Sequence, residues 1–183
     1  MLKYSSTLSN LPVFICILGV LFTGFSCSKG RQLLFEVNNE IEFVMPGGLN
    51  TIETHIFIIR DIPTLLEPNL ELFGLTSMDP VTVNSTRATL SGSFQSIDYD
   101  FIGEIAVRAR SARNPSLNRE MFFMENIPFN HRGELQLFSS ITDLTEIMKE
   151  KVFDMEVRIR LRSFVGRDIQ HKLIFSYGVF LSE

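Results

Sequence analysis

The chain reads LLFEVNNEIEFVM at residues 33–45, and this stretch places apolar side chains at almost every odd position with polar ones between them. A period of two is typical of a β-strand with one buried face, because successive side chains of a strand point to opposite sides. The same alternation returns in EVRIRLR at residues 156–162 and again over residues 173–181. These stretches predict that β-strands dominate the fold.

Further segments between them show the same period or a run of β-branched residues, and turn residues such as Pro46-Gly47-Gly48 separate them. Between two of these segments we predict one helical turn at Thr64–Glu67, followed by a short strand at Leu70–Phe73. The other predicted strands are Ile52–Ile62, Val81–Ser91, Glu104–Ser111, Glu120–Met124 and Glu134–Phe138.

One short helix is predicted near residues 142–151. Thr142 or Asp143 can cap its start, and Glu146 can reach back to form a capping box. Apolar residues then follow at helical spacing. A helix this short is expected to close one end of a β structure.

These elements predict a single all-β domain over residues 33–183, built as an antiparallel β-sandwich. A closed β-barrel is the alternative, because the number of strands does not separate the two architectures. The chain has 183 residues, of which 45% are hydrophobic and 21% charged. That composition suits one globular domain and excludes a disordered chain, a collagen or a coiled coil.

The first 27 residues have the layout of a secretory signal. Lys3 supplies a positive start, and Leu11–Phe25 is almost wholly apolar. We predict a signal helix here, since the apolar run is shorter than the roughly 20 residues that a membrane-spanning helix needs. Cleavage would remove residues 1–26, including Cys16, and leave Cys27 as the one cysteine of the mature chain. A single cysteine cannot form an internal disulfide.

The residues Gly24-Phe25-Ser26-Cys27 resemble a bacterial lipobox. The resemblance implies a signal peptide over residues 1–26, a lipid on the Cys27 thiol, and a lipidated tether over residues 27–32. Ser28 stands where an Asp can retain lipoproteins at the inner membrane, so the resemblance implies the outer membrane, with the domain facing the periplasm. The alternative is an ordinary signal peptide, cut near Gly24 or Ser26, that releases a soluble periplasmic protein.

The sequence offers no pattern for catalysis, a metal site or a cofactor. His55, His131 and His171 have no second ligand at metal-binding spacing. Asp98 and Asp100, with Glu104 nearby, are expected to keep a loop solvated or to form a turn. Nucleophile-elbow, P-loop and dinucleotide-binding motifs are missing. We therefore predict no catalytic residues, no metal ligands and no cofactor.

Two rows of arginines are the surface feature that the sequence singles out. If the strands that carry them are antiparallel neighbours, Glu104 can face Arg162 and Glu156 can face Arg110, and the rows neutralise each other. If they do not pair, the guanidinium groups can bind an anion or an acidic partner. The rows consist of Arg108, Arg110, Arg158, Arg160 and Arg162.

Taken together, the sequence predicts a non-enzymatic, lipid-anchored envelope protein with a structural, assembly or protein-interaction role. Its partners would be the membrane, through the lipid on Cys27, and other envelope proteins. The formal net charge of −4 does not favour nucleic acid. The alternative function is a periplasmic binding module for a hydrophobic or anionic ligand, and the apolar stretch Met121–Met124 would be a partner or lipid contact if both its faces are exposed.

Overall fold

Antiparallel strands make up most of the chain that the computed structural model describes, namely residues 31–77, 81–94, 96–129 and 133–181. The predicted signal peptide, Cys27 and His131 lie outside the described residues. The strands are β1 (Leu33–Met45), β2 (Thr54–Pro63), β3 (Val81–Gly92), β4 (Ile102–Ser111), β5 (Asn118–Met124), β6 (Leu135–Ser139), β7 (Val152–Leu161) and β8 (Ile169–Leu181).

These strands form one sheet in the order β1-β8-β3-β6-β5-β4-β7-β2. The sheet has two four-stranded halves, joined where β5 meets β6 over two residue pairs only, Phe122 with Ser139 and Phe123 with Phe138. It curls until it is nearly closed into a barrel. The predicted all-β, antiparallel class is confirmed, and the structure combines features of both architectures: two facing halves as in a sandwich, in one almost closed sheet.

The two edges of the sheet, β1 and β2, approach each other at the rings of Phe43 and Phe57, whose centres are 5.5 Å apart. Elsewhere a short helix, α1 (Leu66–Leu72), covers the core. Leu66 and Leu70 are buried, and Phe73 stacks on Phe35 of β1 at 5.1 Å. The edges are therefore joined by side chains rather than by backbone hydrogen bonds of a strand pair.

The helical predictions are only partly right. The predicted strand at Leu70–Phe73 is wrong, because the turn that begins before it continues as α1; Leu66 and Leu70 have the i, i+4 spacing that places both on one buried helix face. The second helix, α2 (Thr145–Met148), is shorter than predicted and has no side-chain cap. The Asp143 carboxylate instead accepts a hydrogen bond from the backbone N–H of Thr145 at 2.9 Å, which forms a turn. Neither helix in the described residues is long and apolar enough to cross a bilayer.

Large side chains from the inner faces of both halves fill the core. Inward residues recur at every second position, as in the fully buried Val157 and Ile159 of β7 and Leu173 of β8. The largest fully buried side chains are Tyr99, Tyr177, Phe122, Phe153, Phe175 and Met45. The pairs Phe122–Phe175 and Phe153–Phe175 meet edge to face, an arrangement that aromatic rings favour.

Because every neighbouring pair of strands is antiparallel, the connections alternate between two ends of the domain. We call the end where β1 begins, at Leu33, the near end, and the end where β1 finishes, at Met45, the far end. The near end holds α1, α2 and the β4–β5 loop. The far end holds the loops β1–β2, β3–β4, β5–β6 and β7–β8.

Candidate functional site

The two arginine rows lie on neighbouring antiparallel strands, β4 and β7, on the outer face of the sheet. The predicted partners, Glu104 with Arg162 and Glu156 with Arg110, are wrong by two residues. The pairing keeps one register from Glu104 to Ser111, and a slip of two residues leaves every side chain on its own face, so the alternation does not distinguish the two registers. The facing pairs are Glu104 with Arg160, Arg108 with Glu156, and Arg110 with Asp154.

Acidic or amide side chains engage four of the five arginines. Arg110 and Asp154 form the most buried ion pair, with Nη2 and Oδ2 2.9 Å apart and both side chains less than a fifth exposed. The guanidinium of Arg108 donates to Asn118 at 2.6 Å. Arg158 pairs with the buried carboxylate of Glu156 at 2.5 Å, and the exposed pair is Arg160 with Glu104 at 3.4 Å.

Arg162 leaves the row and binds the backbone of the far end. Its guanidinium donates to the carbonyl of Ile102 at 2.6 and 2.8 Å and also to the carbonyl of Ile127. The ring of Phe129 lies 4.4 Å from the guanidinium carbon, which is a cation–π contact. Arg162 therefore ties the β5–β6 loop to the start of β4.

A groove of about 350 Å³ runs over the outer face above Ala106. Arg158 and Arg160 line it, and so do three carboxylates and the half-buried ring of Phe123. The carboxylates belong to Glu104, Glu120 and Glu125. Acids therefore outnumber bases in the groove, so its electrostatic balance does not favour a free anion.

The apolar stretch Met121–Met124 does not present two exposed faces. Met121 and Phe122 are fully buried, and Phe123 and Met124 are half-buried. A register shift in β5 beside Val107 turns two successive side chains inward. This stretch therefore serves the core.

The described histidines and acids occupy separate places. His55 contacts the carbonyl of Asn50 at 2.7 Å, and the carboxylate of Asp98 accepts from the backbone N–H of Asp100 at 3.2 Å, which shapes a turn. Glu104 points to the outer face, where it meets Arg160. Within the described ranges no three His, Cys, Asp or Glu side chains are grouped so that they could hold a metal ion.

His171 is fully buried between two aromatic rings. It stacks on Phe43 at 5.1 Å and on Tyr99 at 5.9 Å, and neither ring nitrogen has a hydrogen-bond partner among the described residues. Burial lowers the pKa of His171 to about 4, because desolvation disfavours the charged imidazolium. The ring is therefore neutral at physiological pH and acts as part of the core.

A polar network on the other half of the sheet was not found from the sequence. The carboxylate of Glu36 accepts hydrogen bonds from the hydroxyls of Ser176 at 2.6 Å and Thr86 at 2.5 Å, and Arg87 lies 3.7 Å away. The hydrogen bonds from Ser176 and Thr86 hold the pKa of Glu36 below its usual value. Ser176 is itself buried, so the network joins β1, β3 and β8 rather than presenting a nucleophile.

The far end presents a large exposed apolar side chain on each of its loops, and we call this set the far-end rim. The exposed fractions are 86% for Ile52, 85% for Phe94, 71% for Phe129 and 70% for Phe164. Single exposed apolar residues are common on protein surfaces, but one on each of the four loops at the same end indicates an interaction site. This rim is the strongest candidate site among the described residues.

A groove of about 440 Å³ opens within the rim, between the β3–β4 and β7–β8 loops. Its walls combine apolar side chains, among them Phe101 and Phe164, with the charged side chains of Asp98 and Arg167. Such a mixture of apolar surface and a few charges is common where one protein receives a side chain of another.

The far-end rim was not predicted from the sequence, because alternation within strands carries no information about residues in loops. The rim residues lie in turn segments, and Phe129 follows Pro128 directly. A large apolar residue inside a turn-forming segment is a usable signal, because a loop has no core to bury it in.

No family model and no curated protein matches the chain. Solved structures with some likeness include the decameric BFDV capsid protein, at 8% identity and a TM-score of 0.39, covering 81% of this chain and 98% of that one. A mutant Xylanase10C from Cellvibrio japonicus in complex with xylopentaose matches at 10% identity and a TM-score of 0.28, covering 78% of this chain and 23% of that one. The empty head of turnip yellow mosaic virus matches at 9% identity and a TM-score of 0.27, covering 100% and 89%. Likenesses at these scores do not indicate a function.

Proposed function

We propose that the protein is a lipid-anchored component of a bacterial cell envelope, held in the outer membrane by acyl chains on Cys27 and facing the periplasm. Its β domain has a structural or assembly role and works through protein contacts, without catalysis. The N-terminal resemblance to a lipobox supports the anchor. The geometry of the domain supports the mode of action.

One observation carries the proposed mode of action: a filled core combined with the exposed far-end rim. A carrier of a hydrophobic ligand needs a concave apolar site that encloses most of the ligand. Here aromatic side chains such as Phe122, Phe153 and Tyr177 occupy the interior. The apolar surface is instead displayed outward on loops, which is the arrangement that suits a protein partner.

The anchor is tested with two cysteine variants in a Gram-negative host. Cys27→Ser should abolish labelling by radioactive palmitate. The protein should then be found in the soluble fraction, or as a precursor that keeps its signal peptide. Cys16→Ser is the matched control, because it removes a thiol from the apolar run and leaves Cys27 intact. Membrane attachment and labelling that survive in Cys27→Ser would contradict the anchor.

The protein contact is tested at the rim. A photo-crosslinking residue at Phe94 or Phe164 should give a discrete envelope adduct, and the same residue at Ile56, on the outer face of β2, should not. Phe94→Ser combined with Phe164→Ser should abolish the adduct formed from a probe at Ile52. Equal crosslinking from all positions would contradict a contact at the rim, and a co-purified small molecule in place of an adduct would favour a ligand-binding module.

A further inference from the structure

The near end of the domain carries a second set of exposed apolar side chains, which we call the near-end patch. Leu72 is 81% exposed at the last position of α1, and Phe73, next to it, is 51% exposed. Ile141, before α2, is 98% exposed. Leu33, the first residue of β1, is 50% exposed. The near end therefore displays apolar surface that the core does not use.

Hydrogen bonds connect the part of this patch around Ile141 to the point where the chain enters the domain. The amide of Asn84 donates to the carbonyl of Thr142, beside Ile141, at 3.1 Å, and its oxygen accepts from Arg31 at 3.5 Å. The carbonyl of Gln32 accepts from the backbone N–H of Leu181 at 3.0 Å. These bonds place the start of the described chain at the near end, beside Ile141.

The length of the tether then limits where a membrane can lie. Residues 28–30 separate Cys27 from Arg31. At a maximum of about 3.6 Å per residue, the Cys27 thiol stays within roughly 15 Å of Arg31. By contrast β1 alone runs for 13 residues toward the far end, a length of roughly 40 Å at 3.3 Å per residue. A bilayer that holds the lipid on Cys27 is therefore within reach of the near-end patch, and a domain that stands on this end holds its far-end rim roughly 40 Å from the bilayer.

From this geometry we infer that the near-end patch lies in the headgroup region of the anchoring bilayer. This inference rests on the proposed lipid anchor at Cys27. The acyl chains hold the domain at the surface, and the side chains of Leu72, Phe73 and Ile141 enter the boundary between headgroups and acyl chains, as the apolar side chains of interfacial helices do. The contact orients the domain, so that the far-end rim points into the periplasm toward its partner.

The test uses the fact that the chain contains no Trp. Leu72→Trp or Ile141→Trp introduces a single fluorophore into the near-end patch, and Ile52→Trp or Phe94→Trp introduces one into the far-end rim as a matched control at an equally exposed site. Each mature lipoprotein is reconstituted into phosphatidylethanolamine–phosphatidylglycerol vesicles with or without bromine on the acyl chains. Bromine quenches only fluorophores close to the acyl region.

We expect quenching at Leu72→Trp and Ile141→Trp at least about threefold stronger than at the far-end positions, with emission shifted to shorter wavelength, because an interfacial side chain lies about 5–10 Å into the headgroup boundary. Two near-end reporters guard against a single variant that disturbs α1. Equal and weak quenching at both ends of a vesicle-bound, lipidated protein would overturn the inference.

Mass spectrometry of the N-terminal peptide separates this failure from failure of the anchor. A diacylated Cys27 with unquenched near-end reporters overturns only the orientation of the domain. A free Cys27 thiol, with protein that does not float with the vesicles, overturns the lipid anchor and the inference together.

Discussion

Phe43 on β1 and Phe57 on β2 lie on the two edge strands of the sheet, and their ring centres are 5.5 Å apart. Among the described residues no strand pairing joins β1 to β2. The ring contact therefore holds together the gap between these two edge strands, which we call the seam. Phe43 also stacks on His171 of β8. The seam is therefore coupled to the core through one side chain.

The first prediction concerns this seam. Phe57→Ala removes a half-buried ring and should lower the free energy of unfolding by about 2–4 kcal/mol, less than the roughly 3–5 kcal/mol lost when a fully buried aromatic residue is truncated. Amide hydrogen exchange should accelerate in β1 and β2 more than in β4. Phe94→Ala is the control, since that ring is 85% exposed and its loss should change stability by less than about 0.5 kcal/mol. Equal effects of the two variants would show that the seam does not stabilise the sheet.

The second prediction concerns pH. Burial lowers the pKa of His171 to about 4, below the value of about 6.5 for an unfolded histidine. Between these values the unfolded chain binds a proton that the folded chain does not bind, so stability is full above pH 6.5 and falls as the pH drops toward 4. The difference amounts to roughly 3 kcal/mol at the lower limit.

Substitution isolates this contribution from that of the carboxylates. His171→Phe keeps a ring between Phe43 and Tyr99 and removes two buried nitrogens that have no hydrogen-bond partner among the described residues. We expect urea denaturation at pH 5 and pH 7.5 to give a smaller difference for the variant than for the original chain. An unchanged difference would show that His171 does not carry the pH dependence.

The third prediction compares two ion pairs on the same pair of strands. Arg110 and Asp154 are 18% and 11% exposed, whereas Arg160 and Glu104 are 57% and 45% exposed. Asp154→Ala leaves a buried guanidinium without its partner and should cost about 3 kcal/mol. Glu104→Ala should cost less than about 1 kcal/mol, because solvent screens an exposed pair.

Double-mutant cycles give the measurement. Arg110→Ala with Asp154→Ala should show a coupling energy above about 1 kcal/mol, and Arg160→Ala with Glu104→Ala a coupling near zero. Asp154 also accepts a hydrogen bond from the backbone N–H of Asp61, whose φ of 58° is left-handed, so β2 should loosen in the Asp154 variant. A larger coupling for the exposed pair would contradict this ranking.

The strands could be predicted because alternation is a local property of the sequence. From Phe35 to Met45 the odd residues of β1 face inward in the structure, with Val37, Phe43 and Met45 buried. The class of fold follows from such patterns. The nearly closed sheet does not, because it depends on which edges meet, and Phe43 and Phe57 reveal their contact only in three dimensions.

The register and the site were harder for physical reasons. β4 and β7 pair two residues away from the predicted register, and a slip of two leaves the alternation of both strands unchanged, so the pattern alone does not reveal it. The row Arg158, Arg160 and Arg162 was identified from the sequence, but its last member turns away to bind backbone carbonyls. The residues of the far-end rim lie on loops that are distant in sequence, and only the topology of the sheet brings these loops to the same end of the domain.

The last prediction concerns Arg162. Its guanidinium donates to the carbonyls of Ile102 and Ile127 and lies over the ring of Phe129, so one side chain holds the β5–β6 loop to β4. Arg162→Ala should cost about 2–3 kcal/mol, because hydrogen bonds to a charged group are worth roughly 1.5–3 kcal/mol. Hydrogen exchange should increase over residues 125–129 and remain unchanged at the near end.

A lysine at the same position tests whether the planar fork is needed. Arg162→Lys retains the charge, but an ammonium group cannot reproduce the two donors that the guanidinium directs at Ile102 and Ile127. We expect it to recover less than half of the stability lost in Arg162→Ala and to leave the β5–β6 loop fast in hydrogen exchange. Arg160→Ala is the matched control, because that side chain is 57% exposed and binds only a surface carboxylate. Full recovery by lysine would show that charge alone, rather than the geometry of the fork, fixes the loop that carries Phe129.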